Sequence, residues 1–306
     1  MLTECLSGEG KIEVTLSNEP KEQACGKDKF NCQLDHKWFP FYSVNLGINM
    51  KIGVIQICSA LDYKKNLAKL AIFLQEAKEA KVEAVFLPET FYSISDGKKC
   101  TPYLVEEGNE HFKNIQNLAK KYSLYILGGS AATRVGDKVV NRNYNFDPEG
   151  LLIGIYDKRH LFSCDLGTKV VDEGDLFAAG DKESLIEVGP LKIGLSICFD
   201  LRFPAVYQSY KKAGANLLTI SSAFTVPTGK AHWHTLLRAR AIENQCFVVA
   251  AAQWGKNNDK VETYGHSLII DPWGEVLADA CDGEKLIVAD IDLLRVEKAA
   301  KAIKLF

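Results

Sequence analysis

The chain has 306 residues, 47% of them hydrophobic and 25% charged, and a formal net charge of −2. That is the composition of an ordinary globular protein, and the charge balance offers no field for nucleic acid or an anionic membrane surface. No apolar run approaches the ~20 residues that a membrane span needs, Glu4 and Glu9 interrupt any secretory signal core, and the first 49 residues contain no Arg, unlike a transit peptide.

Residues 1–49 are rich in Lys, Glu, Asn and Gly, with few periodic apolar positions before "WFPFYSV" at 38–44. They read as an appended N-terminal extension of the kind that stays disordered. The rival reading docks Trp38, Phe39 and Phe41 onto the domain. A domain over 50–306 opens with the strand "KIGVIQI" after Met50. Leu67, Leu70, Ala71, Leu74 and Ala77 then fall at helical spacing. "AVFLP" is a short buried strand, and Phe112, Ile115, Leu118 and Tyr122 mark a second helix. "LYILGGSAA" reads as one strand, and "NRNYNFD" with "LLIGIYD" as a hairpin turned at Pro148, Glu149 and Gly150. The strand "KIGLSIC" leads into a helix carrying Phe203, Val206, Tyr207 and Tyr210, and "NLLTISS" follows as a strand. A further helix carries Trp233, Leu236, Leu237 and Ile242 and ends at the strand "CFVVAAA". "YGHSLIIDPWGEVLA" is a hairpin turned at Pro272–Gly274, and "LIVADID" is the last strand. Strand–helix alternation with apolar residues on both strand faces predicts two mixed sheets packed face to face, with helices outside.

The nine cysteines, at 5, 25, 32, 58, 100, 164, 198, 246 and 281, are odd in number and widely spaced, with no CxxC. That argues for a reducing compartment, the cytoplasm or else the mitochondrion, and against a disulfide framework or zinc site. Cys58 and Cys246 lie in apolar runs and read as buried small hydrophobes. Cys198 differs. "KIGLSICFDLRFP" drives it to the end of a buried strand and follows it with Asp200 and Arg202, the arrangement of a nucleophile delivered by a strand into a tight turn. A thiol needs a base or cation nearby to react well at neutral pH. Glu89 and Lys158 also stand at strand ends, where a Glu could take the thiol proton and a Lys could hold an oxyanion. Taken singly, a capping Glu, a surface Lys and a core Cys are the ordinary alternatives.

Glu89 in "FLPET", Lys158 in "YDKRHLF" and Cys198 in "ICFDLRFP" together resemble the Glu–Lys–Cys constellation of the nitrilase superfamily of carbon–nitrogen hydrolases. The likeness continues through "AHWHTLLRARAIENQCFVVAAAQ" and "YGHSLIIDPWGEVLA", covers the chain from Met50 onward, and is nearest to the Nit branch. It implies an α-β-β-α sandwich and a homodimer paired through the helix after the nucleophile and the long helix around Trp233. It also implies a second acid between the Lys and the Cys, matched to Glu173 through the following Gly180, with Asp172 and Asp175 nearby. The chemistry implied is amide hydrolysis through a thioester on Cys198, with Glu89 as base. Lys158 and the Phe199 backbone N–H hold the oxyanion, and no cofactor takes part. The substrate implied is a small 2-oxo acid amide: deaminated glutathione, giving 2-oxoglutarate and cysteinylglycine, or α-ketoglutaramate in the ω-amidase relatives. A catalytically silent scaffold is the alternative of another class.

Arg202 could hold the substrate carboxylate in its fork, or lock the turn by pairing with Asp200 or another acid. His232 and His234, at i and i+2, point apart on a helix and have no second ligand cluster in view, so no metal site is expected. His266 reads as a hydrogen-bonded structural histidine. No GxGxxG or P-loop supports a nucleotide.

Overall fold

The computed structural model describes residues 49–165 and 170–305. The appended segment up to residue 48, with Trp38, Phe39 and Phe41, lies outside the described residues. The chain runs β1 (Asn49–Gln56), α1 (Tyr63–Glu79), β2 (Ala84–Phe86), α2 (Glu110–Tyr122), β3 (Tyr125–Leu127), β4 (Ser130–Val135), β5 (Lys138–Phe146) and β6 (Leu152–Asp157). It continues through β7 (Ser163–Asp165), β8 (Val170–Asp172), β9 (Leu185–Val188), β10 (Leu191–Ile197), α3 (Pro204–Lys212), β11 (Leu217–Ser222), α4 (Val226–Asn244) and β12 (Phe247–Ala252). The last elements are β13 (Trp254–Lys256), β14 (Glu262–Tyr264), β15 (Leu268–Ile270), β16 (Val276–Asp279), β17 (Lys285–Asp292) and α5 (Leu294–Ala302).

Two large mixed sheets result. The first has the order β17-β1-β2-β3-β5-β4, with β6 also paired to β5; the second has the order β16-β15-β12-β11-β10-β9. Each is built on three parallel strands, β1-β2-β3 and β10-β11-β12. Alternation along the strands sorts the core into layers. Ile52, Val54, Ala84, Phe86 and Leu127 join the cluster that holds Ile193, Leu195, Ile197 and Val249 of the second sheet. Their neighbours Ile55, Val85, Leu87 and Ile126 turn the other way, onto Leu70 and Leu74 of α1 and Ile115 of α2. Helices α3 and α4 cover the second sheet through Tyr207, Tyr210, Trp233 and Leu237. This is the expected α-β-β-α sandwich.

Local chemistry sets the helix ends. Asp62 caps α1 by accepting from Lys64 N–H, and Asn109 caps α2 by accepting from Phe112 N–H. Gln245 ends α4 in the left-handed region, and its side-chain amide donates to Ala299 and Ile303 of the α5 segment. Helix α5 is not marked in the sequence, since its short amphipathic run docks on Gln245, 54 and 58 positions before the residues it holds. "LYILGGSAA" is two strands, not one. The chain breaks at Gly128, whose φ of +77° leaves the extended region, and Gly129 next to it has no room for a Cβ, which would lie 2.6 Å from the Phe91 ring. Cys58 is only half-buried, just past the end of β1, whereas Cys246 is fully buried. Among the described residues no helix is long and apolar enough to cross a membrane.

Candidate active site

Strands of both sheets carry their ends to one rim, the place where open sheets build sites. Cys198 leaves β10 with φ +49°, a left-handed conformation that costs energy for any residue with a Cβ. A short 3₁₀ turn, Cys198–Arg202, follows, and Pro204 then opens α3. Glu89 follows β2 across Leu87 and Pro88, and Thr90 after it also has positive φ, +50°. Lys158 follows β6. Its N–H donates to Asn141 in β5, and its carbonyl accepts from Gly180 N–H at 2.9 Å. Gly180 has to be glycine: a Cβ there would meet the Asp157 carbonyl oxygen at 2.4 Å.

The side chains converge. Lys158 Nζ lies 2.8 Å from Glu89 Oε1 and 2.7 Å from Glu173 Oε2, and it is buried along with Glu89. Glu173 is fixed by Phe162 N–H, which donates to Oε2 at 2.8 Å. Cys198 is buried beside them, close enough to Glu89, Lys158 and Glu173 to feel the charge of each. Glu89, Glu173, Cys198, Phe199 and Arg202 all line a cavity of about 420 Å³, with Phe162, Phe177 and Phe224 among its apolar walls. The Glu–Lys–Cys constellation of the sequence and the second acid matched to Glu173 thus form one cluster in the fold.

Burial sets the electrostatics. It raises the Glu89 carboxyl above its usual range, with the Lys158 charge opposing and Glu173 assisting. Burial also disfavours the Lys158 charge, but two adjacent carboxylates override it and hold the ammonium far above its usual range. Burial, with Glu89 and Glu173 close by, pushes the Cys198 thiol well up despite Lys158. Burial and the two carboxylates thus both favour the protonated thiol over the thiolate.

Several supporting residues escaped the sequence reading. Asn141 donates to Glu89 Oε1 at 2.8 Å from inside β5. The signal was there in "NRNYNF": Asn141, Asn143 and Asn145 repeat at period two, and all three are buried. Gln253, just past β12, donates to the Glu89 carbonyl at 3.0 Å and to Ser59 Oγ at 2.8 Å. Asp200 is buried and takes four donors: Tyr156 Oη at 2.7 Å, Ile197 N at 2.9 Å, His160 N at 3.0 Å and His160 Nδ1 at 2.7 Å. Its carboxylate thereby ties the Cys198 elbow to residues on both sides of Lys158.

That engagement removes one reading of Arg202. The Asp200 oxygens are taken by other donors, and among the described residues no carboxylate pairs with the Arg202 guanidinium. It lies 5.8 Å from the Phe199 ring and 5.5 Å from the Phe224 ring, with Nη2 3.3 Å from His232 Nδ1. Asp172 accepts from Gly174 N–H and stays exposed, so Glu173 is the acid of that loop that reaches Lys158. The view that no ligand cluster accompanies His234 needs correction: the fold brings it to His266 and Asp279, from 32 and 45 positions away in the chain.

Residues 51–301 match the model of the family described as carbon–nitrogen hydrolase. The chain is 40% identical over 252 residues to the NitFhit fusion protein of Caenorhabditis elegans, covering 80% of this chain and 57% of that protein. The crystal structure of that protein superposes with a TM-score of 0.76, covering 84% of this chain and 63% of that one. The chain thus spans less than two thirds of the fusion protein. It is 37% identical over 269 residues to a deaminated glutathione amidase of Dictyostelium discoideum, covering 84% of this chain and 92% of that one. It is 33% identical over 257 residues to an omega-amidase NIT2 of Bos taurus, covering 84% and 93%.

Two outcomes are expected from this geometry. Asp200→Asn keeps the shape but turns an NH₂ toward two of the four donors, and should cost about 2–3 kcal/mol in urea unfolding. Glu89→Gln removes a carboxylate whose folded-state pKa is raised. Between the unfolded value, about 4.3, and the raised folded value, the native state holds more protons, so rising pH destabilises the wild type. The stability of Glu89→Gln relative to wild type should therefore rise with pH above about 4.3. A parallel pH profile for the two proteins would refute the assignment of Glu89 as the destabilised carboxyl.

Proposed function

The chain belongs to the carbon–nitrogen hydrolase family, and from that premise we propose that it is a thiol-dependent amidase acting on a small 2-oxo acid amide. The observation that carries the reading is the buried cluster of Glu89, Lys158 and Cys198, with Glu173 also on the lysine, in which Glu89, Cys198 and Glu173 line one cavity. Glu89 takes the Cys198 proton as sulfur bonds to the amide carbonyl carbon. Lys158, which has three donors for two carboxylates, and the Phe199 N–H at the start of the 3₁₀ turn hold the oxyanion. Glu89 returns the proton to the amine as the C–N bond breaks, and a thioester remains. Water, deprotonated by Glu89, then releases the acid and restores the thiol. Glu173 keeps the lysine charged and in place. No step calls on a metal or organic cofactor.

Deaminated glutathione is the substrate favoured here. A cavity of about 420 Å³ has more room than a five-carbon amide needs and suits a peptide leaving group on its apolar side. Arg202 at the cavity wall, between two aromatic rings and paired to no described carboxylate, is the cation offered to the substrate's carboxylate. The same reading includes a homodimer through α3 and α4, to be tested by light scattering, and, on cysteine usage, a reducing compartment such as the cytoplasm.

The test is a kcat/KM comparison of deaminated glutathione, α-ketoglutaramate, glutamine, a nitrile and an N-carbamoyl amino acid. Deaminated glutathione should lead, and Cys198→Ala should abolish its turnover with the fold intact. Turnover of every amide at background rate, with the wild type folded, would favour the silent scaffold. A lead by α-ketoglutaramate would favour an ω-amidase. For Arg202, wild type should prefer a free 2-oxo acid amide over its methyl ester. Arg202→Lys should lose most of that preference while still cleaving the ester, because lysine keeps the charge but not the bidentate fork. A preference that survives would place the carboxylate elsewhere.

A further inference from the structure

A second group of chemically competent side chains lies outside the cavity. His234 projects from α4, His266 stands in the turn between β14 and β15, and Asp279 ends β16. None of the three lines the cavity over Cys198. His234 Nε2 is 3.2 Å from Asp279 Oδ2, and His266 Nδ1 is 3.2 Å from the same oxygen. The three candidate ligand atoms all lie within 4.8 Å of one another.

Those separations can be set against coordination geometry. Bonds of about 2.0–2.1 Å in a tetrahedral shell put neighbouring ligand atoms roughly 3.3–3.4 Å apart. Both histidine-to-carboxylate edges already fall near that value. The histidine–histidine edge closes by a small rotation of a partly exposed ring, His234 being 37% accessible and His266 22%. That exposure also leaves a fourth position for water.

The surroundings hold the ligands in place. Cys281 N–H donates to Asp279 Oδ1 at 2.7 Å and holds the carboxylate in place; Oδ2 lies within 3.2 Å of both rings, and Oδ1 is 3.1 Å from His266 Nδ1. Trp233 Nε1 donates to the His266 carbonyl at 2.7 Å, and the Tyr264 ring stacks on His266 at 4.6 Å. His266 itself is kept at φ +55°. Partners of this kind around the ligands are what fix ring orientation in metal sites. Two imidazoles and one carboxylate suit zinc, cobalt, nickel or copper rather than magnesium or calcium.

We infer that His234, His266 and Asp279 form a binding site for a divalent transition metal of the zinc class, clipping α4 to the β15–β16 hairpin. Each imidazole would present a lone pair to the ion, His234 from Nε2 and His266 from Nδ1, and carry its proton on the other ring nitrogen. The hydrogen bonds of both rings to Asp279 are then replaced by metal–ligand bonds. The ion takes no part in the amidase chemistry and stabilises the folded state by mass action.

Cobalt(II) is the probe, added to the full chain after chelator treatment and dialysis, and followed by calorimetry, by visible absorption and by thermal melting. Wild type should bind one equivalent more than His234→Ala, with a nitrogen–oxygen ligand-field spectrum and a Tm that rises with cobalt. Asp279→Asn and His266→Asn, the latter tolerating positive φ, should weaken that equivalent at least tenfold and lose the Tm rise. His234→Ala, at a partly exposed helix position, keeps the test decisive if His266→Asn fails to fold. Equal binding by wild type and His234→Ala would overturn the proposal, as would a spectrum showing thiolate ligation alone. In either case the cluster would be only a hydrogen-bonded clamp.

Discussion

The rest of the site depends on keeping Lys158 charged while it is wholly buried. An ammonium stripped of water is expensive by several kcal/mol, and alone it would shed its proton. Glu89 and Glu173 on either side prevent that. The pairing is unequal by one: two carboxylates face one cation. Burial first, and the surplus negative charge after it, make the neighbouring thiol hold its proton tightly. Proton transfer from Cys198 to Glu89 moves that charge without creating more, so the barrier is smaller than the thiol's raised pKa alone would suggest. The cluster is arranged for proton exchange inside it rather than with solvent.

Such a cluster works only if its members cannot drift apart. The Glu89 loop is held from three directions: Gln253 takes its carbonyl, Ser59 Oγ donates to the Phe91 carbonyl at 3.0 Å, and Asn66 donates to the Tyr92 carbonyl at 2.9 Å. Asp200 does the same for the other half, joining the elbow to the end of β6. His160, bound to that carboxylate, stacks on Phe203 at 3.6 Å between ring centroids. Positive φ at Thr90 and Cys198 is tolerated because these contacts over-determine the local backbone.

The sequence made much of this legible, and the limits were physical. Strand alternation and helical spacing revealed the layers because burial imposes those periods. Glu89, Lys158 and Cys198 stood out because each follows a strand and because their motifs resemble those of a known superfamily. Period and spacing report only on near neighbours, however. Gln253 holding Glu89, Asp200 joining two strand ends, and His234 meeting Asp279 are contacts across tens to well over a hundred positions, with no local trace. The buried Asn141, Asn143 and Asn145 were the exception, a polar stripe on an inward strand face that periodicity alone could have flagged. The break at Gly128 and helix α5 were missed for a different reason: the first answers to a left-handed glycine backbone and the second to the side chain of Gln245.

The hold of Gln253 on the Glu89 carbonyl also has a bearing on time. Synthesis delivers Glu89 first, then Lys158, then Cys198, and only later Gln253 and the strands β15 to β17 that complete both sheets. β17 pairs along the whole of β1, so the first sheet stays unfinished until the chain is nearly made. Until then the parts that press the base against the thiol are absent. On the proposed mechanism a nascent chain would carry Cys198 as an ordinary cysteine, and its chemistry would switch on with closure of the sandwich rather than with synthesis of the residue.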